Sequence, residues 1–445
     1  MATLTIKNVG PIKEVLDLKL NKVNVFMGPQ SSGKSTIAKI ISYCRWVEKR
    51  RILDGFFRED FYETFKTFHK LEDTYFPSNA YFKYDGDYCS IEFSSKKKSK
   101  VNIVRKENVK FENSKRIYIP AERNFVASML NLGGYKSTTN NNVMNFLYDW
   151  YEVKKLYSKE NMLHMPELSV SFYHIESEDK DVVVLSKGKE IILQNASSGI
   201  QSMTPLYLLL DYLTKTLYQK KLVLSPFERE QKLSEIEKET KSFMGSKYKE
   251  MREDLEKISE QYEQKKVDDE NFRAKLEGLR TDLTEEKEEE FVKSVSNAVF
   301  LIRTAYLNYS HSQFIIEEPE QNLFPSTQRD LVYHLLKLIT GERDHQLTVT
   351  THSPYVLYAL NNCMMGHLVN SQLQGEEQKE YLTNDFLSNK SWIDPKSVSV
   401  WEIENGELRN IQDKDNIISE NYFDKKMTDL VEEYYLMLNY YKNEK

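Results

Sequence analysis

The sequence predicts an α/β fold with an inserted helical segment, and three stretches support this prediction. Residues 22–50 run from a β-branched and aromatic stretch through a glycine-rich turn into an apolar repeat at helical spacing. Two further apolar runs, at 313–318 and 347–351, have the length and composition of buried strands, and charged or polar side chains close each run. Residues 225–295 differ abruptly, because Glu and Lys dominate them. Strands that alternate with helices favour a mainly parallel sheet.

Composition limits the classes of function. The chain has 445 residues, of which 40% are apolar and 12% aromatic, enough for one large α/β domain with an insertion or for two or three domains. The net charge of −6 excludes a protein that wraps nucleic acid along its whole length, so any nucleic-acid contact would be local.

The cysteines and the N-terminal residues indicate the cellular compartment of the protein. The three cysteines lack metal-type spacing, which suits a reducing cytosol. The first residues alternate like a strand and lack the apolar segment of a secretory signal. No apolar run approaches the ~20 residues of a membrane span. We therefore expect a cytoplasmic protein without membrane contact.

The glycine-rich turn reads Gly, any four residues, Gly-Lys-Ser, which is the P-loop pattern that cradles phosphate. A strand before it and a helix after it aim backbone N–H groups at an anion, and they disfavour a chance match in a loop. We expect Lys34 to reach the β- and γ-phosphates of a nucleotide and the Ser35 hydroxyl to bind Mg²⁺. The predicted nucleotide-binding residues are Gly28, Pro29, Gln30, Ser31, Ser32, Gly33, Lys34, Ser35 and Thr36.

The N-terminal part also predicts antiparallel strands. Alternation at 4–7 and 15–20 predicts two strands, and residues 52–79, rich in Phe and Tyr, are predicted to be helical. Residues 81–109 resemble strands with a hairpin turn at 85–86. A basic cluster between these strands is either a solvated hairpin tip or a local nucleic-acid contact. It comprises Lys96, Lys97, Lys98 and Lys100.

A short strand at 116–119 is broken by Pro120 and followed by Glu122 and Arg123. This charge pair is either a salt-bridged corner or part of a ligand site, because α/β sheets bind ligands at the carboxyl ends of their strands. A helix is then predicted at 141–163.

Two strands, at 168–174 and 181–185, precede a Ser/Gly-rich turn. The turn leads into an apolar helix at 203–213 and offers backbone donors to an anion, although an ordinary helix cap would look the same. It contains Ser197, Ser198 and Gly199.

The Glu/Lys-rich segment carries apolar residues in steps of four and three. This spacing predicts two antiparallel helices, each with one apolar seam of about two heptads, so we expect a short coiled-coil-like hairpin. The seams are Met251, Leu255, Ile258 and Tyr262, and Phe272, Leu276, Leu279 and Leu283. A further helix is predicted at 292–309.

The C-terminal part holds the remaining polar strand ends. The strand at 313–318 ends in Glu317 and Glu318, and the strand at 347–351 is followed by His352. Helices are predicted at 326–340, 355–369 and 423–441, with a hairpin over 398–411.

Beside a P-loop, these strand ends suit nucleotide hydrolysis. One of these carboxylates could hold Mg²⁺ through water, and the second could orient the attacking water. A neutral His352 could bond the γ-phosphate or that water. Each residue alone is equally well a solvated turn or a helix cap, but the ordered set indicates a common site.

As an ordered set, these residues resemble the ABC-type ATPases, specifically their OLD/RecF/SMC-like branch. Residues 28–35 match Walker A and 314–318 match Walker B, with Glu318 in the place of the catalytic glutamate. Residues 195–202 look like a degenerate signature motif, and His352 resembles the switch histidine. The sequence departs from the family pattern where Glu317 replaces the Walker B aspartate and where the signature lacks its leucine and second glycine.

The resemblance implies an ABC-type head with an antiparallel β subdomain, made by 1–224 and 296–445, around a helical hairpin at 225–295. It also implies ATP and Mg²⁺ as cofactors, with two ATP molecules held between two heads that pair head to tail. Lys34, Glu318 and His352 would be catalytic, and Ser35 and Glu317 would hold Mg²⁺. Ser197, Ser198 and Gly199 would contact the partner's ATP, and the homodimer could belong to a larger homo-oligomer.

OLD-like members often serve in bacterial anti-phage systems. The resemblance therefore implies a regulatory ATPase that senses a phage protein or DNA and controls a separate nuclease or toxin. A DNA-repair ATPase of the RecF or Rad50 kind is the alternative, favoured by the basic cluster but not by the short arm or the acidic charge. A transporter ATPase fits less well.

Overall fold

The computed structural model describes residues 2–53, 60–97, 101–107, 109, 112–128, 141–219 and 309–441, together with separate helical positions between 237 and 296. Contacts divide the chain into two compact units, one made by Met1–Gln219 with Tyr309–Lys445 and the other by Lys220–Asn308. Most of the helical hairpin predicted at 225–295 and of the helix predicted at 292–309 falls outside the described residues, as do Lys98 and Lys100. Within the described residues, no helix is long and apolar enough to cross a membrane.

The strands of the first unit form two sheets. In chain order they are β1 (Thr3–Val9), β2 (Ile12–Lys19), β3 (Val23–Met27), β4 (Tyr81–Asp85), β5 (Cys89–Ser94), β6 (Asn102–Arg105), β7 (Ser114–Ile119), β8 (Leu163–Met165), β9 (Val170–Ile175), β10 (Lys180–Val184), β11 (Glu190–Ile192), β12 (His311–Glu317), β13 (Gln346–Thr351), β14 (Val398–Glu404) and β15 (Glu407–Asn410). Strands β8 to β11 make a small antiparallel sheet, and the others make the large one.

The large sheet has an antiparallel half and a parallel half, which confirms the predicted α/β class with an antiparallel β subdomain. Its strand order is β6-β5-β4-β1-β2-β15-β14-β3-β13-β12-β7. Strands β14, β3, β13, β12 and β7 pair in parallel, whereas β1 runs antiparallel to β2 and β4. Since parallel strands end at one edge, the segments that follow β3, β13 and β12 emerge side by side.

Helices cover both faces of this sheet. The helices of the first unit are α1 (Lys34–Leu53), α2 (Phe61–His69), α3 (Asn142–Lys154), α4 (Ser198–Asp211), α5 (Pro325–Ile339), α6 (Pro354–Gln372), α7 (Gly375–Thr383) and α8 (Tyr422–Leu438), of which the last two contain no buried residue. Successive side chains of β3 enter opposite cores, as strand geometry requires. Phe26 packs in the core that holds Ile37 of α1, while Val25 packs in the core that holds Leu336 of α5 and Leu357 of α6.

Three predicted elements differ from those observed. The helix predicted at 141–163 ends at Lys154, whose ammonium lies 2.9 Å from Asp179, and Leu163–Met165 instead pairs with β9. The helix predicted at 203–213 begins at Ser198 and continues through a π-helical turn to Gln219. Within residues 52–79, the described part of the predicted helix consists of the end of α1, of α2 and of a short 3₁₀ turn at Asp73–Tyr75. Sequence periodicity did not distinguish the short strand β8 from a continuation of the preceding helix.

Candidate functional site

The glycine-rich turn leaves β3 and opens α1. Its backbone has positive φ at Gly28, Ser31 and Gly33, with values of 149°, 59° and 110°. A Cβ atom on Gly28 would lie 2.4 Å from the carbonyl oxygen of Ile403, and one on Gly33 would lie 2.4 Å from Cδ1 of Ile12. Glycine is therefore required at both positions by conformation and by space. The turn places backbone N–H groups ahead of a twenty-residue helix, which is the arrangement that binds phosphate.

Lys34 is buried with its ammonium inside this turn. Its Nζ atom donates to the carbonyl oxygens of Gly28 at 2.9 Å and Pro29 at 2.7 Å, and it lies 3.5 Å from Nδ1 of His352. Burial lowers the pKa of Lys34 to about 8, although the charges of Glu318, Glu320 and Glu317 oppose that shift. A buried cation held by two carbonyl dipoles and an imidazole nitrogen is available to an incoming anion.

The two carboxylates at the end of β12 have different surroundings. Glu317 is 6% exposed, and its Oε1 atom has no hydrogen-bond partner within the described structure. Glu318 is half-buried with a positive φ of 44°, and its backbone N–H donates to the carbonyl oxygen of Thr350 at 2.9 Å. Strain at a non-glycine residue is typical of functional sites. Glu317 thus has an unsatisfied oxygen, while the backbone turns Glu318 toward the neighbouring strand.

His352 joins Glu318 to Lys34. Its Nε2 atom lies 3.2 Å from Oε1 of Glu318, while its Nδ1 atom faces the ammonium of Lys34. We assign the proton to Nε2, since this neutral tautomer donates to the carboxylate and accepts from the ammonium. The hydrogen bond from His352 lowers the pKa of Glu318 below its ordinary value despite partial burial. Glu318 is therefore ionised and held in place at neutral pH.

Glu320 orients the histidine, a role that the sequence did not indicate. Its Oε1 atom accepts hydrogen bonds from the backbone N–H of His352 at 2.7 Å and from Oγ1 of Thr351 at 2.8 Å. Burial raises its pKa above the ordinary value, and these hydrogen bonds oppose the rise. Its place in the Pro-Glu-Gln-Asn turn after the strand was the available signal, but an exposed turn residue would look the same.

Arg123 fixes the backbone of the same turn. It is fully buried, and its guanidinium donates to the carbonyl oxygens of Glu317, Glu318 and Pro319 at 2.9, 2.8 and 3.0 Å. Burial lowers its pKa to about 10, against the attraction of the nearby glutamates. Of the two roles left open for Glu122 and Arg123, the structure places Arg123 at the ligand edge and leaves Glu122 exposed.

The Ser/Gly-rich turn opens α4, a different helix from the one that follows the P-loop. Ser197 and Ser198 are exposed at the start of α4, and Ser197 makes no side-chain cap hydrogen bond. A Cβ atom on Gly199 would lie 2.9 Å from the carbonyl oxygen of Asn322, so the turn packs on the segment that follows Glu318. Within one chain the structure thus brings together the P-loop, Glu317, Glu318 and His352, while the serine hydroxyls face outward.

The chain was compared with curated proteins and with solved structures. Among curated proteins, no match to this chain is found. The chain is similar to the solved SMC head domain from Thermotoga maritima, with 10% identity over 94% of this chain and 98% of that one and a TM-score of 0.36. It is also similar to the recombination mediator protein RecF in a structure titled RecF-ATPrS, with 11% identity over 92% and 97% of the two chains and a TM-score of 0.29.

The family comparison covers most of the chain. The model of the AAA ATPase domain matches residues 1–357, a range that holds the P-loop, both β12 carboxylates and His352. The chain therefore belongs to the AAA ATPase domain family.

Proposed function

We propose that this protein binds ATP with Mg²⁺ and hydrolyses it in the manner of ABC-type heads of the OLD/RecF/SMC-like branch. The observation that carries the proposal is the chain of contacts from Lys34 through His352 to Glu318, with separations of 3.5 and 3.2 Å. It joins a phosphate-binding cation to a carboxylate that can act as a base. These groups come from three adjacent parallel strand ends.

The residues present suit a nucleotide with a bound metal ion. The Oγ atom of Ser32 and the Oε1 atom of Glu317 are buried and, within the described structure, unpartnered. Ser35 is exposed at the first turn of α1. Ser35 and Glu317 would hold Mg²⁺, either directly or through water, as in other P-loop proteins. The bound ion would supply charge neutralisation at the phosphates.

Lys34, Glu318 and His352 have different roles in the proposed hydrolysis. The ammonium of Lys34 exchanges its carbonyl partners for phosphate oxygens. Glu318 accepts a proton from the water whose oxygen forms the new bond to phosphorus as the bond to ADP breaks, and it returns that proton to phosphate. His352 holds Glu318 in the orientation that this transfer needs. A positioned general base contributes about 10²–10⁴-fold to the rate.

The exposed serines at the start of α4 support the proposal that the protein functions as a dimer. Ser197 and Ser198 are exposed, and the helix that they open could direct its N-terminus at a phosphate bound to a second copy. In this arrangement each chain completes the other's site, and ATP closes the pair. A variant that binds ATP without hydrolysing it should therefore accumulate as a dimer.

The biological role that we propose is regulation of a separate nuclease or toxin in an anti-phage system, triggered by a phage protein or DNA. It rests on the resemblance of the motif set to OLD-like ATPases. A DNA-repair role is the second candidate, because Lys96 is exposed after β5 in the basic cluster. Purification of the tagged chain from its native operon separates the two roles. A stoichiometric effector released by ATP turnover supports regulation, whereas ATPase activity that requires DNA supports repair.

The chemistry is tested with Glu318→Gln, which keeps the shape of the side chain and removes the base. We expect kcat to fall at least 100-fold while ATP binding stays within threefold, with ATP-dependent dimers visible by light scattering. Glu342→Gln removes an exposed carboxylate and is the matched control. Unchanged turnover in Glu318→Gln would remove Glu318 from the catalytic role.

A further inference from the structure

A second candidate site lies at the edge of the large sheet. A cavity of about 320 Å³ opens beside β7, the last strand, between α1 and α3. Its wall includes Arg45, which follows Lys34 by eleven residues on α1 and so lies about 16 Å along the helix from the P-loop. The cavity is therefore separate from the candidate ATP site, and the inference below does not rest on the proposed function.

Several residues that line the cavity carry buried polar atoms without partners in the described part of the chain. Arg45, Asn142 and Gln313 are 5%, 6% and 7% exposed, and the Arg116 side chain is 12% exposed. Within the described part of the chain, no hydrogen-bond partner is present for Nη1 of Arg45, Nη1 of Arg116, Oδ1 of Asn142 or Oε1 of Gln313. A buried polar group left unpaired costs about 1–3 kcal/mol. Four such atoms around one cavity indicate a polar occupant.

The two arginines are fixed in place by their other nitrogen atoms. Nη2 of Arg45 donates to Oε1 of Gln346 at 3.1 Å, and Nε of Arg116 donates to Oγ of Ser114 at 3.2 Å. Each guanidinium therefore keeps one nitrogen atom unpaired in a preset orientation. Preset donors lower the entropy that binding would otherwise cost.

The charge around the cavity favours an anion. Arg45, Lys115 and Arg116 line it, and Asp149 is the carboxylate among the described lining residues, 3.6 Å from Lys115. Glu48 lies 3.8 Å from Arg116, but the same carboxylate also accepts backbone N–H bonds from β5 and the turn before it.

Nearby Lys49 has a pKa that burial lowers most, with a further contribution from the neighbouring cations. Burial, followed by the charges of Arg116 and Lys115, lowers its pKa to about 7. An opposite charge nearby would favour the charged form of such a lysine.

The remaining walls are aromatic and amide groups. Trp46 and Phe146 are among the aromatic residues that line the cavity, beside the amides of Asn142 and Gln313. Aromatic faces stack on planar rings, while amide side chains can read the edge of a heterocycle. A volume of about 320 Å³ lies at the small end of known ligand pockets, which span about 300–1,000 Å³.

We propose that this cavity binds a mononucleotide, with the phosphate on Arg45 and Arg116 and the base among the aromatic and amide side chains. Neither a simple anion nor an uncharged nucleoside would use both halves of the cavity. The proposed site lies about three turns of α1 away from the P-loop.

The test uses the full chain with Lys34→Ala, which silences the P-loop. Calorimetric titrations with AMP, GMP, CMP and UMP are compared with the matching nucleosides and with inorganic phosphate. We expect one mononucleotide to bind at one site per chain and at least tenfold more tightly than its nucleoside or phosphate. Absence of binding by all four would overturn the proposal and assign the unpartnered atoms to water. Equal binding of inorganic phosphate would overturn the mononucleotide class.

Variants locate the site. Ser42→Phe fills the cavity from α1 without removing any polar partner, and Arg116→Gln removes one cation. Both should weaken mononucleotide binding at least tenfold, whereas Lys83→Gln, which removes an exposed cation on β4, should change it less than twofold. Thermal unfolding of each variant checks the fold, and Ser42→Phe remains decisive if Arg116→Gln fails to fold. Unchanged binding in Ser42→Phe would place the ligand elsewhere.

Discussion

The guanidinium of Arg123 donates a hydrogen bond of 2.8 Å to the backbone carbonyl of Glu318, the residue whose φ is +44°. The same guanidinium holds the carbonyls of Glu317 and Pro319. A left-handed backbone at a non-glycine residue costs of order 1–3 kcal/mol and persists only where its surroundings fix it. The hydrogen bonds from Arg123 therefore stabilise the backbone conformation that turns Glu318 toward His352.

Arg123→Lys tests this positioning role. A single ammonium lacks the planar fork that reaches three carbonyls, so buried acceptors lose their donors. We expect the free energy of unfolding to fall by about 3 kcal/mol, since each unsatisfied group costs about 1–3 kcal/mol. ATPase kcat should fall at least tenfold while KM changes less than threefold. Denaturant titration and steady-state kinetics measure these effects.

The matched control is Arg343→Lys, because exposed Arg343 also donates to a carbonyl, that of Ser310 at 3.1 Å. It should change neither stability nor turnover appreciably. If Arg123→Lys lost stability but kept its kcat, Arg123 would be structural and would not position Glu318.

The pKa of Lys34 predicts how ATP binding depends on pH. Burial lowers this pKa to about 8 in the free protein, and a bound phosphate raises it. Protonated Lys34 attracts phosphate, so affinity is full below pH 8 and falls as pH rises through that value. At pH 9 about one lysine in ten stays protonated, and ATP should bind about tenfold more weakly than at pH 7.

Titration with a fluorescent ATP analogue measures this change in affinity. Lys39→Gln, on the same helix, should keep the profile, and a flat profile in the native protein would contradict the assignment.

Gly28→Ala tests the close approach between the P-loop and β14. The new Cβ atom would meet the carbonyl of Ile403 at 2.4 Å on a backbone with φ of 149°. We expect ATP binding to weaken at least tenfold and the melting temperature to fall. Gly188→Ala is the matched control, because Gly188 has a positive φ of 75° but no atom within 4 Å of the added Cβ. If both variants behaved alike, conformational strain alone would explain the loss.

Local patterns predicted the elements that carry chemistry. Val23–Met27, the P-loop and α1 follow one another along the chain, so their strand, turn and helix signals are adjacent. The strand that ends at Glu317 was predicted in the same way, because a buried parallel strand reads as a continuous apolar run. These signals suffice to predict the glycine-rich turn between strand and helix and the two carboxylates at the end of β12.

Contacts between distant segments were not predictable in this way. Arg123 finds its carbonyl partners 194 to 196 positions away, so the sequence presents only a charge beside Glu122. Strand β14 lies next to β3 although most of the chain separates them, and Ile403 thereby comes to restrict Gly28. Such pairings follow from packing of the whole sheet, which no local period encodes.

Glu320 gives the last prediction, because its two oxygens have different surroundings. Oε1 holds the backbone N–H of His352 and the hydroxyl of Thr351, whereas Oε2 is buried and has no partner in the described structure. Glu320→Gln keeps an acceptor for both donors and removes a buried charge, so we expect kcat within about threefold of the native value. Glu320→Ala leaves both donors unsatisfied, which should cost about 2–4 kcal/mol of unfolding free energy. It should also lower kcat at least tenfold, because His352 loses its orientation.

Denaturation and ATPase assays of the two variants separate the effect of geometry from the effect of charge. A Gln variant as damaged as the Ala variant would show that the site needs the negative charge of Glu320.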